Sequence, residues 1–134
     1  MNRILVAYDG RPPARHALDT AIQLAKSQAD ATVGVVSVVP YRLGRHLDDA
    51  WEDEAEMTAV LIEAVGVLEQ AGLRAEPLKP WGDPASAIEQ VAADGHYDTI
   101  VVGTRDLGPL ARIFKGSVSQ HVADHSEATV VIAR

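Results

Sequence analysis

The stretch Arg3-Ile4-Leu5-Val6-Ala7-Tyr8-Asp9-Gly10, followed by Arg11-Pro12-Pro13, decides the fold. Its apolar run is continuous rather than alternating, as expected of a strand covered on both faces in a parallel sheet. Asp9-Gly10 supplies the turn. Beyond the proline pair, Ala14, Ala17, Leu18, Ala21, Ile22, Leu24 and Ala25 recur at helical spacing. The opening therefore predicts a βα unit.

Working outward, the alternation repeats. Thr32 to Val39 is a second Val-rich strand, stopped by Pro40. Pro40 to Asp49 is polar and irregular, and contains Arg42, Gly44, Arg45 and His46. Met57, Val60, Leu61, Ala64, Val65 and Leu68 then mark the longest helix, with a stop near Gly72. Leu73 to Pro80 reads as a weaker strand near an edge, because its prolines would damage a central ladder. Asp83 is placed as N-cap and Pro84 as the first residue of a helix whose inner face is Ile88, Val91 and Ala92. Tyr97 to Gly103 and Thr129 to Ala133 are the last strands, separated by a Gly-containing loop and a short helix from about Ser117 to His125. Right-handed crossovers turn this order into an α/β, doubly wound, five-stranded parallel sheet, order 3-2-1-4-5, with helices on both faces. Residues 1–134 are expected to form a single α/β domain.

Composition limits the function. The chain is 47% hydrophobic but only 4% aromatic, so its core must be aliphatic. It contains no cysteine, which excludes a disulfide scaffold, a thiolate nucleophile and cysteine-based zinc sites. Twelve Lys and Arg against nineteen Asp and Glu give a net charge of −7, the wrong sign for gripping phosphate backbones or anionic lipid. Nucleic acid and membrane are therefore not expected partners. No apolar run reaches the roughly 18 residues of a spanning helix, and the expectation is a soluble cytoplasmic domain.

In such a sheet, ligands bind outside the carboxyl ends of the strands where the winding reverses. That rule selects Asp9-Gly10-Arg11 after the first strand. It also selects Gly103-Thr104-Arg105-Asp106-Leu107-Gly108 after the fourth, with Lys115-Gly116-Ser117-Val118-Ser119 further on. The glycines allow close backbone approach, and Gly116-Ser117 opens a helix whose free N–H groups favour an anion. The second loop is not a P-loop, because Pro109 and Leu110 stand where Lys and Ser/Thr would be needed. No dinucleotide G-x-G-x-x-G follows the first strand either.

Taken together, Ala7-Tyr8-Asp9-Gly10, Gly82-Asp83-Pro84, Ile100-Val101-Val102-Gly103-Thr104-Arg105 and Gly116-Ser117-Val118-Ser119 before a Val-rich last strand resemble the universal stress protein family over nearly the whole chain. In its nucleotide-binding members a G-x2-G-x9-G-[ST] motif holds the phosphates. The Asp after the first strand and the backbone after the second hold adenosine. The resemblance implies ATP, with or without Mg, as ligand of Asp9, Val38 or Val39, Gly103, Gly116 and Ser117, with Arg105, Asp106, Val118 and Ser119 in the same loops. It also implies a homodimer through Thr129 to Ala133, a short edge strand suited to pairing with its copy. Two positions depart from the pattern. Asp106 stands at the second glycine, giving G-x2-D-x9-G-S, and Arg11 replaces a frequent small hydroxyl residue.

Plainer readings stand beside these. Asp9 also reads as a turn residue capping the first helix, Gly103 and Gly116 as turn formers, and Ser117 and Ser119 as N-caps. His121 and His125 share a helix face but lack a third ligand of suitable spacing, so no metal site is expected. Asp48 to Glu56 reads as a solvated, acidic helix start or as a partner-binding segment. Trp51 and Trp81 either pack under loops or line a surface pocket. No catalytic constellation accompanies the site, and at most slow ATP hydrolysis is expected. The leading expectation is a stress-response regulatory module binding ATP or another adenine nucleotide, and the alternative is a nucleotide-free interaction module of the same fold.

Overall fold

The computed structural model describes residues 2–39, 47–103 and 128–133, with only the backbone described for 47–50. The elements run β1 (Arg3–Ala7), α1 (Pro12–Lys26), β2 (Thr32–Val36), α2 (Leu47–Gln70), β3 (Arg74–Leu78), α3 (Pro84–Asp94), β4 (Thr99–Gly103) and β5 (Thr129–Ala133). The sheet has the order β3-β2-β1-β4-β5, and every pairing is parallel. The short helix expected at Ser117 to His125 lies outside the described residues.

The continuous apolar runs sit where the strands are covered on both sides. On one face Ile4, Val6, Val33, Val35 and Val101 pack with Ala14, Ala17, Leu18, Ala21 and Ala25 of α1 and Leu61, Ala64 and Leu68 of α2. On the other, Leu5, Ala7, Val36, Ile100 and Val102 meet Ala85, Ile88 and Ala92 of α3. The alanine stripe of α1 lets that helix lie close to the sheet. Each fully buried Val, Leu or Ile contributes on the order of 1.5–3 kcal/mol.

Helix starts follow local chemistry. Pro12 and Pro13 occupy the first turn of α1, and the cap position is Arg11, which makes no side-chain cap bond. Asp83 caps α3, its Oδ2 accepting from Ser86 N–H at 3.1 Å. Helix α2 begins at Leu47, inside the segment read as irregular, because the acidic residues at its start carry no apolar period while suiting a helix N-terminus. β3 is the edge its prolines implied, with Pro77 beside Val35.

The amino ends of the strands are closed by a polar network. Asp98 Oδ2 accepts from the N–H groups of Asn2 and Arg3 at 3.1 and 3.2 Å. The Arg3 guanidinium donates to Gly95 O at 2.9 Å and to Glu76 Oε1 at 3.0 Å, and lies over the Tyr97 ring at 4.7 Å. The carboxyl ends are left to receive the loops.

Candidate functional site

The winding reverses between β1 and β4. From β1 the chain moves to β2 and β3 on one side; from β3 it crosses α3 to reach β4 on the other. Asp9, Val38 and Gly103 follow or end the strands on either side of this point.

Beyond Ala7, Tyr8 N–H still donates to Val36 O at 3.0 Å, which extends the pairing of the two strands by one residue. Buried Ser37 then ties the two ends together, its Oγ donating to Tyr8 O at 2.6 Å. On the far side, Ser37 N–H and Val39 N–H donate to Leu78 O and Pro80 O at 3.0 and 2.8 Å, and Gly82 N–H returns to Val39 O at 3.0 Å. Val39 thereby forms a parallel bridge with Trp81. Since strand amides alternate in direction, Val38 between them turns its N–H and C=O toward the β1 side. Among the described residues those two groups have no hydrogen-bond partner. A donor and an acceptor on one main-chain unit can read the edge of a planar heterocycle.

Asp9 stands next to this edge. Its Oδ1 accepts from Arg11 N–H at 2.9 Å, while Oδ2 lies 3.8 Å from Arg11 Nε. The carboxylate thus shapes the turn rather than capping α1 directly, and Oδ2 keeps acceptor capacity on a half-exposed side chain. Gly10 takes a left-handed φ of 82° in the same turn. Below it, buried Tyr8 donates from its hydroxyl to Glu63 Oε1 at 3.2 Å, and Arg15 reaches the same oxygen at 3.5 Å. Burial raises the Tyr8 phenol above its ordinary value.

Gly103 ends β4. A Cβ there would overlap the main-chain carbonyl of Pro13, so this glycine has a packing role. Of the sequence-derived residues, Asp9, Val38, Val39 and Gly103 are therefore described; Arg105, Asp106, Gly116, Ser117, Val118 and Ser119 lie outside the described residues. Sequence reasoning missed Ser37, whose only signal is a polar interruption of a Val-rich run, and the Val39–Trp81 bridge.

An open parallel sheet in the order β3-β2-β1-β4-β5, its winding reversing between β1 and β4, defines a doubly wound α/β fold, the class in which ligands bind outside the carboxyl ends of the strands. The universal stress protein family profile matches residues 1–134, and the chain belongs to that family. Universal stress protein YxiE of Bacillus subtilis is 31% identical, with 99% of each chain covered. A universal stress protein from Archaeoglobus fulgidus, solved in complex with dAMP, superposes with TM-score 0.72 at 26% identity, covering 100% of this chain and 98% of that one. A universal stress protein solved in complex with cAMP gives 0.69 at 25% identity, covering 99% and 97%. Among the described residues no helix is long and apolar enough to cross a membrane.

Proposed function

We propose that this protein is a stress-response regulatory module that binds an adenine nucleotide at the switch point between β1 and β4. The observation that carries the reading is the Val38 main chain, its N–H and C=O unpartnered among the described residues, following a strand paired with the one that leads to Asp9. The Val38 main chain suits the base edge and the Asp9 carboxylate a ribose hydroxyl. The ligands of two neighbours, cAMP and dAMP, share adenine and differ in sugar and phosphate, which agrees with recognition centred on the base. ATP, with or without Mg, is the proposed ligand, with its phosphates at Gly103, Arg105, Asp106, Gly116, Ser117, Val118 and Ser119. The module works in the cytoplasm as a homodimer through Thr129 to Ala133 and hydrolyses ATP slowly if at all.

Asp106 favours a second reading, in which the fold acts through its surface without nucleotide. Titration calorimetry on nucleotide-stripped protein, with ATP, AMP and cAMP and with and without Mg, separates the two. Micromolar binding that Gly116→Val abolishes supports the first. No heat up to millimolar ligand, in folded protein, supports the second.

A further inference from the structure

Helix α2 presents two unlike faces. Leu61, Ala64 and Leu68 are buried against the sheet. On the opposite side Trp51, Ala55, Ala59, Ile62 and Gly66 succeed one another at intervals of three and four, forming one apolar line. Trp51 is 61% exposed and Ile62 68%, and a Cβ on Gly66 would meet nothing within 4 Å. Single exposed apolar side chains are ordinary, but a contiguous line of them marks a contact surface.

Charge identifies the occupant. Glu52, Glu56 and Glu63 run along one edge of the line. Glu63 is engaged by Arg15 and Tyr8, whereas Glu52 and Glu56 have no ion pair among the described residues. The other edge is neutralised, since Lys79 Nζ reaches Glu54 Oε1 and Thr58 Oγ1, each at 2.9 Å. The surface is thus apolar with an uncompensated negative border on one side, on a chain of net charge −7.

We propose that this face of α2 docks a basic amphipathic helix of a partner protein. Its aliphatic stripe lies along Trp51, Ala55, Ala59, Ile62 and Gly66, and Lys or Arg on its flank pairs with Glu52 and Glu56. The small residues let the partner backbone approach, while Trp51 and Ile62 supply the anchors. A second copy fits the apolar line, because antiparallel pairing would set Trp51 over Gly66 and Ile62 over Ala55. The same pairing lays the glutamate edge against its own copy, and like charges there oppose it.

The test uses the full chain with Trp81→Phe, leaving Trp51 as the reporter, titrated with a Leu/Lys amphipathic helical peptide of about three heptads and with its Leu/Glu counterpart. The Lys peptide is expected to shift Trp51 emission to the blue and the Glu peptide to leave it unchanged. Ile62→Ser, and separately Glu52→Lys with Glu56→Lys, should each weaken binding about tenfold with circular dichroism unaltered. Asp19→Lys, a single charge reversal on α1, should leave it intact. No shift with the Lys peptide, equal binding of both peptides, or affinity indifferent to these substitutions overturns the proposal. So does self-association abolished by Ile62→Ser, which would make a second copy the occupant.

Discussion

Gly103, the last residue of β4, lies directly against the main-chain carbonyl of Pro13 in the first turn of α1. The contact is backbone to backbone, so no rotamer change relieves an added methyl group. Gly103→Ala is expected to destabilise the fold by about 1–3 kcal/mol, read as a lowered urea midpoint with unchanged slope. The loss should be present without any nucleotide, because packing causes it. An unaltered midpoint would show that α1 can move away from the sheet end.

Asp9 performs two tasks with its two oxygens, and substitutions can separate them. Asn keeps an acceptor for Arg11 N–H but not the charge; Ala removes both. Asp9→Ala is expected to cost about 1 kcal/mol of stability and at least about tenfold in nucleotide affinity. Asp9→Asn should recover most of the stability. Calorimetric affinities unchanged in both variants would leave Asp9 as a turn residue alone.

The strand pattern made the sheet legible because burial on both faces demands continuous apolar runs, and the prolines of Leu73 to Pro80 marked an edge. What lay beyond reach was pairwise fit. Gly34 sits in the middle of Val-rich β2, and the Tyr97 hydroxyl occupies the place a Cβ there would take, a fit that no local pattern announces. Likewise Gly103 suggested a ligand, and the structure adds Pro13. Asp9 and Val38 were singled out through the family pattern and stand as proposed site residues, whereas the bonds of Ser37 to both neighbouring strand ends depend on register, which no local sequence signal encodes.

Asp106 tests the phosphate end. A carboxylate about 5 Å from a phosphate oxygen, at an effective dielectric near 20, costs roughly 3 kcal/mol per unit charge. Asp106→Gly is therefore expected to tighten ATP binding by up to about two decades. The gain should be smaller for cAMP, which carries less charge. No gain, or a loss, would mean that the carboxylate points elsewhere or helps to hold Mg.

Tyr97 gives the fold an alkaline limit. Burial, and then the hydrogen bond its hydroxyl donates to Glu76 Oε1 at 2.7 Å, push its phenol far above the ordinary 10.0. In the unfolded chain it ionises near that ordinary value, so the unfolded state loses its proton first as pH rises. The stabilisation is complete below about pH 10 and declines above it. Tyr97→Phe should cost about 1–2 kcal/mol at pH 7 through the lost hydrogen bond, and the gap to wild type should narrow by about pH 11. Parallel stability curves across that range would show that Tyr97 does not set the limit.

β5 pairs with β4 and with no other strand, so its outer edge is open among the described residues. Its side chains are not equivalent probes of the proposed dimer. Val130 packs toward the α3 side of the core and Val131 toward the α1 side, so a charge at either would damage the domain itself. Ile132, 37% exposed, can be altered with less risk to the fold. Ile132→Glu is expected to convert dimer to monomer in sedimentation equilibrium, with circular dichroism unchanged, because paired edges would bring two like charges close together. A folded variant that remains dimeric would move the interface off this edge. It would also direct attention to Ile62 on α2, where the same substitution can be measured by the same method.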